Sequence, residues 1–222
     1  MDLTVFGCQD KSRDNDRDKK MAKIKICGIT SSEDALYACR AGADAIGLVF
    51  YPPSPRHVDV QQARNIVADI PPFTSSVALF VNAQRALIEQ VIEQVKIDIL
   101  QFHGDEAESF CASFSRPYIK AIRMKPGLNL YEVQEYYASA RALLLDTYVK
   151  GVPGGTGEAF NWDKIPPDLH KPVILAGGLD ADNVAQAVTQ VKPYAVDVSG
   201  GVEAEKGKKD RAKITRFINN AR

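Results

Sequence analysis

From Lys23 onward, short apolar runs rich in β-branched residues alternate with stretches whose apolar residues recur three or four positions apart. The runs predict strands at 23–27, 45–50, 76–81, 99–103, 118–123, 142–147, 172–176 and 194–199. Between them Val60, Ala63 and Val67, then Leu87, Val91 and Val95, then Val184, Val188 and Val191 have helical spacing. Thr30-Ser31-Ser32-Glu33 and Asp59-Val60-Gln61-Gln62 have the form of capping boxes that start two of these helices. The sixth helical segment, after Phe160, is short, and Phe160 and Trp162 are expected to pack it. Eight strand–helix units in ~200 residues predict a single-domain α/β fold, the (β/α)8 TIM barrel. An open doubly wound sheet usually has fewer strands, and the G-x-G-x-x-G fingerprint often found in its first turn is absent.

Composition narrows the classes. The 222 residues are 45% hydrophobic and 25% charged, enough for a real core. The 28 basic and 28 acidic side chains cancel, so no nucleic-acid or membrane-surface partner is expected. An anion must be held by a local site. The four cysteines, Cys8, Cys27, Cys39 and Cys111, have no metal-ligand spacing and read as reduced thiols of a cytoplasmic protein. No apolar run approaches the ~20 residues that span a bilayer. Residues 1–20 carry a charged run from Asp10 to Lys20 and read as a disordered leader or a mis-assigned start, with Met21 the candidate functional start and 21–222 the barrel catalytic domain.

Barrel active sites lie at the C-terminal ends of the strands. Here those ends are Cys27, Phe50, Asn82, His103, Arg123, Asp146, Gly177-Gly178 and Ser199-Gly200-Gly201. Glycines after strands seven and eight sit where barrels bind phosphate through backbone N–H groups, although either pair alone reads equally well as turn glycines. Gly151 to Gly157 forms a third glycine-rich stretch, a lid or a flexible connector. Cys27 is either a small buried hydrophobe or a thiol facing the mouth, with Lys25 placed to favour its thiolate. Asp146 ends a triple-leucine run, as a turn cap or as a functional carboxyl. A thiol and a carboxyl across one mouth can act as base and acid. Arg56, in a proline-stiffened loop, either offers its fork to a carboxylate or is a solvated surface arginine. His103 either orients a substrate or satisfies a strand end. Alternation places Lys25 and Asp197 inward on neighbouring strands, where they are expected to pair.

These residues together resemble the phosphoribosylanthranilate isomerase family of tryptophan biosynthesis. The likeness is carried by Lys25-Ile-Cys-Gly-Ile-Thr30, Gly47-Leu-Val-Phe-Tyr-Pro52, Ser54-Pro-Arg56 and Leu100-Gln-Phe-His-Gly104. It continues through Leu144-Leu-Asp-Thr147, Gly154-Gly-Thr-Gly157, Leu175-Ala-Gly-Gly-Leu179 and Asp197-Val-Ser-Gly-Gly-Val-Glu203. It implies an Amadori rearrangement of N-(5-phosphoribosyl)anthranilate, with Cys27 as general base and Asp146 as general acid. It also implies Arg56 as the ligand of the anthranilate carboxylate. Gly154, Gly155, Gly177, Gly178, Ser199 and Gly200 match its phosphate grip. No metal or cofactor is implied. The eighth loop reads Ser-Gly-Gly where Ser-Ser-Gly is common, which removes one hydroxyl near the phosphate.

Two other classes fit less well. A sugar-phosphate epimerase or indole-forming barrel would need a metal-ligand set, or a catalytic lysine or glutamate, at the strand ends. A non-catalytic phosphate-binding barrel would keep the glycines and lose the acid or base. The expected partner is a phosphorylated small molecule, and the chain is compatible with a monomer or a homodimer.

Overall fold

The computed structural model describes residues 21–147 and 160–222. Residues 1–20, the glycine-rich stretch after strand six and the expected phosphate ligands Gly154 and Gly155 lie outside those residues. Eight parallel strands close on themselves in sequence order: β1 (Lys23–Cys27), β2 (Ala45–Val49), β3 (Ser75–Phe80), β4 (Ile99–Phe102), β5 (Tyr118–Arg123), β6 (Ala142–Asp146), β7 (Val173–Leu175) and β8 (Ala195–Val198). Lys25 pairs with Ala45 on one side and with Asp197 on the other, which closes the ring at β1 and β8.

The period of two divides each strand between two cores. On β5 and β6, Ile119, Ala121, Ala142 and Leu144 point inward and join Ile174, Ala176 and Ala195 in the barrel interior. Their neighbours Ile122, Leu143 and Leu145 point outward and pack with Leu130. The larger outer core includes Ile24, Ile26, Phe80, Phe102 and Phe217, under the helices. Each such buried side chain contributes roughly 1.5–3 kcal/mol. Phe50 and Phe80 stack at 5.4 Å, and Phe102 meets Phe114 at 5.9 Å.

The helices are α1 (Ser32–Ala41), α2 (Val60–Asp69), α3 (Arg85–Val95), α4 (Glu108–Cys111), α5 (Leu130–Tyr136), α6 (Val184–Val191) and α7 (Arg211–Ala221). Among the described residues unit six has a 3₁₀ turn at Trp162–Lys164, with Phe160 and Trp162 packed against the outer core. At α1 the cap falls one residue later than its expected box. Ser31 accepts from Asp34 N–H, while the Thr30 hydroxyl is occupied by the carbonyl of Gly207 at 2.6 Å. At α2 Asp59 caps Gln62 as expected, but the Gln62 amide donates to the Thr30 carbonyl instead of returning to the cap.

One element has no counterpart in the periodicity reading. After β8 the chain forms an antiparallel hairpin, β9 (Glu203–Glu205) and β10 (Lys208–Lys209), which pairs Lys209 with Glu203. Its turn contains Gly207 at φ +83°, where a Cβ would lie 2.7 Å from the Pro55 carbonyl oxygen. The hairpin therefore presses on the proline loop of unit two. No helix among the described residues is long and apolar enough to cross a membrane.

Candidate active site

The C-terminal mouth of the barrel holds a cavity of about 610 Å³. Cys27, Arg56, His103, Asp146, Gly177, Gly178, Ser199 and Gly200 all line it. Eight expected site residues from six separate loops and strand ends thus converge. The cavity also takes in Glu203, which the periodicity left without a role.

Cys27 ends β1 on the inward face, buried with Val49 and Leu79. It fits because β2 offers glycine opposite: a Cβ on Gly47 would lie 2.7 Å from the Cys27 sulfur and 3.0 Å from Lys25 Nζ. Lys25 donates to Asp197 at 2.9 Å, both side chains being almost wholly buried, so the expected pair is formed. Burial works to lower the Lys25 pKa, but Asp197 and Cys27 outweigh it and the ammonium is strengthened. For Cys27 the expectation of a depressed pKa is not met. Burial pushes the thiol above its ordinary value, Lys25 pulls it back only in part, and Asp197 pushes it up again. The cation that should favour the thiolate is already matched by a carboxylate.

Asp146 ends β6 across the mouth and is buried. Its Oδ1 accepts the Thr147 N–H at 2.8 Å, and its Oδ2 lies 3.0 Å from His103 Nε2. His103 Nδ1 lies 3.1 Å from the amide nitrogen of Gln101, one layer deeper on the same strand. The Gln101 amide oxygen is buried and has no hydrogen-bond partner among the described residues. A donor at Nδ1 makes that nitrogen the acceptor, which leaves Nε2–H to donate to Asp146. His103 therefore serves the carboxyl directly, which is more than satisfying a strand end.

Gly177, at φ +78°, packs on the same carboxyl: a Cβ there would meet Thr147 N at 2.4 Å and Asp146 Oδ1 at 2.7 Å. Its lack of a side chain serves the Asp146 end of the mouth. Gly201 is likewise required by backbone, since a Cβ would come 2.0 Å from the Leu179 carbonyl oxygen. Ser199 differs. Its hydroxyl is buried in the cavity wall with no hydrogen-bond partner among the described residues.

Arg56 is not a solvated surface residue. Its stem lies across Gly28, where a Cβ would meet Arg56 Cδ at 2.5 Å and the Ser199 hydroxyl at 2.8 Å. Its Nε and Nη2 donate to the two oxygens of Glu203, each at 2.7 Å. Lys209 donates to Glu203 Oε1 at 2.9 Å and to the Ser199 carbonyl at 3.1 Å. Burial alone would raise the Glu203 pKa, but Arg56 and Lys209 outweigh it and hold the carboxyl below its ordinary value. Burial lowers the Lys209 pKa despite Glu203 beside it. The signal that could have found this pair is Gly207 as a turn residue between an acidic stretch, Glu203-Ala-Glu205, and the basic Lys208-Lys209.

A sequence model of the N-(5'phosphoribosyl)anthranilate (PRA) isomerase family matches residues 24–220. An N-(5'-phosphoribosyl)anthranilate isomerase of Pseudomonas putida is 62% identical over 196 residues, covering 88% of this chain and 95% of that protein. The crystal structure of phosphoribosyl anthranilate isomerase from Thermotoga maritima superposes with a TM-score of 0.84 at 39% identity, over 90% of this chain and 98% of its own. A structure of such an isomerase in complex with reduced 1-(o-carboxyphenylamino)-1-deoxyribulose 5-phosphate superposes with a TM-score of 0.81, at the same identity and coverage. Monomers generated from the dimeric Thermotoga maritima enzyme superpose at 0.77 and 35% identity, over 90% of this chain and 98% of theirs.

Proposed function

The chain belongs to the N-(5'-phosphoribosyl)anthranilate isomerase family and is an aldose–ketose isomerase of tryptophan biosynthesis; within that reaction we propose that Cys27 is the general base and Asp146 the general acid. The assignment is carried by one observation. A buried thiol and a buried carboxyl stand at strand ends β1 and β6, on one cavity large enough for a sugar phosphate.

Asp146 gives its proton to the ribose ring oxygen, and the C1′–O bond breaks to leave a protonated Schiff base. The Cys27 thiolate then takes the C2′ proton, and the C2′–H electron pair moves into the C1′–C2′ bond as the iminium is neutralised. The enolamine so formed relaxes to the ketone, regaining a proton at C1′. The iminium is itself the electron sink, so the chemistry needs no metal and no cofactor. Its positive charge also favours ionisation of the Cys27 thiol beside it, which burial opposes.

Arg56 receives the anthranilate carboxylate. The phosphate is held at Gly178, Ser199 and Gly200, with Gly154 and Gly155 added from the resemblance; the unpartnered Ser199 hydroxyl supports this end. Gly177 shapes the Asp146 end beside it. Residues 21–222 form the catalytic domain, as a monomer or homodimer. The free thiols Cys27, Cys39 and Cys111 support a cytoplasmic location.

The test is the fluorescence-monitored consumption of phosphoribosylanthranilate by Cys27→Ala and Asp146→Asn. Each is expected to abolish turnover while a reduced product analogue still binds. Near-normal turnover in either variant refutes the role given to that residue.

A further inference from the structure

Arg56 is held from behind. Its Nε and Nη2 are both committed to Glu203, which grips the guanidinium along its side edge at 2.7 Å on each oxygen. A guanidinium has five N–H bonds, and this grip leaves the Nη1/Nη2 edge with its donors. Nη1 has no hydrogen-bond partner among the described residues. Both residues are largely buried, with side-chain exposures of 14% for Arg56 and 5% for Glu203, so the fork is fixed in one direction. Lys209, whose side chain is fully buried, donates to the same Glu203 and to the Ser199 carbonyl. The hairpin that carries Glu203 and Lys209 is itself fastened to the loop of Arg56 by the contact of Gly207 with Pro55. Among Arg56, Lys209 and Glu203 there are two cations and one anion. The set therefore carries one net positive charge beside the mouth.

We infer that Glu203, braced by Lys209, is a positioning and specificity residue: it aims the free edge of Arg56 into the mouth, so that the site selects an N-aryl sugar phosphate bearing a carboxylate on its ring. The inference rests on the reading of Arg56 as the carboxylate ligand. Glu203 acts through Arg56 and does not itself touch the reacting atoms. A bidentate fork is directional, so its value depends on where it is held. A loosely placed arginine would attract any anion, the substrate phosphate included, and would not discriminate at the ring.

The experiment compares two substrates, phosphoribosylanthranilate and the analogue with aniline in place of anthranilate, in the wild type, Glu203→Gln and Glu203→Asp. Glu203→Gln sets an amide N–H against a cationic donor. Glu203→Asp keeps the charge facing Lys209, which guards the fold, but withdraws the carboxylate from Arg56 by one methylene. The expected result is a loss of about 10- to 100-fold in kcat/KM for the carboxylated substrate, mainly through KM, as for a lost hydrogen bond to a charged group. The analogue is expected to change by less than about threefold, so that the preference for the carboxylate collapses. Equal losses on both substrates, or an unchanged preference in Glu203→Asp, overturn the role of Glu203 and leave Arg56 as the ligand. If the wild type itself treats the two substrates alike, the Arg56 reading falls, and this inference with it.

Discussion

His103 Nε2 lies 3.0 Å from Asp146 Oδ2, and Gln101 holds the other face of the same ring from inside the barrel. The acid of the reaction is thus the outer end of a three-residue chain that starts in the core. With the Gln101 amide nitrogen on Nδ1, the imidazole has one tautomer that can serve Asp146.

Replacing His103 by Ala removes the donor to Oδ2 and leaves Asp146, among the described residues, with the Thr147 N–H. A hydrogen bond to the carboxylate that forms as Asp146 gives up its proton contributes about 1.5–3 kcal/mol, so kcat is expected to fall about 10- to 100-fold with little change in KM. Gln101→Leu keeps the imidazole but frees its tautomer. A smaller loss in kcat is expected, with a second N–H signal for the His103 ring in ¹⁵N NMR. A single unchanged signal there would remove Gln101 from the chain.

Burial holds the Cys27 thiol above its ordinary value. Only the thiolate alkylates, so the iodoacetamide reaction of Cys27, followed by peptide mass mapping in the free enzyme, is expected to reach half its limiting rate at a higher pH than free cysteine. The sign follows from the direction of the shift: a group pushed up ionises later as pH rises. The rising, low-pH limb of kcat/KM for the free enzyme, which reports the base that must lose its proton, should lie at the same place. A midpoint below that of free cysteine contradicts the raising effect of burial and Asp197.

Gly177→Ala places a methyl 2.4 Å from Thr147 N and 2.7 Å from Asp146 Oδ1, at φ +78°. Backbone cannot yield as a flexible side chain does, so the carboxyl must turn. We expect a stability loss of about 1–3 kcal/mol from the strained conformation. A fall in kcat should exceed any loss of affinity for inorganic phosphate. An effect on phosphate affinity alone would return Gly177 to the anion site.

The barrel was legible because period two and period 3.6 alternate cleanly along the chain, and all eight strands fall within one or two residues of their expected bounds. The cores of Cys27, Asp146 and Lys25–Asp197 were legible for a related reason: alternation fixes which side of a strand faces inward. What lay outside the pattern came from pairings between distant loops. Glu203 meets Arg56 across 147 positions, and nothing in either local stretch announces the other. Lys120 sits mid-strand on β5 and faces outward, where the periodicity predicts an apolar residue. It is buried against Glu106 at 2.8 Å and the Gly104 carbonyl at 2.7 Å. The Cys27 pKa failed for a quantitative reason. A lysine two residues away was visible, but the burial that outweighs it and the Asp197 that neutralises it are sums over the closed barrel.

Those opposing neighbours supply the strongest check on the base. Lys25 and Asp197 sit 2.9 Å apart beneath Cys27 and act on its thiol with opposite sign, Lys25 pulling its pKa down and Asp197 pushing it up. Lys25→Met should therefore move the alkylation midpoint of Cys27 to higher pH, and Asp197→Asn should move it to lower pH. Both variants break a buried pair and leave a charge without its partner, so each should also lose about 3–5 kcal/mol of stability in urea unfolding. Stability alone cannot separate the two residues, because the cost of an orphaned buried charge has the same sign for either partner. The thiol can. Midpoints that move in the same direction in both variants would mean that Cys27 responds to loosened packing, whereas opposite movements identify the charges themselves as what sets the base.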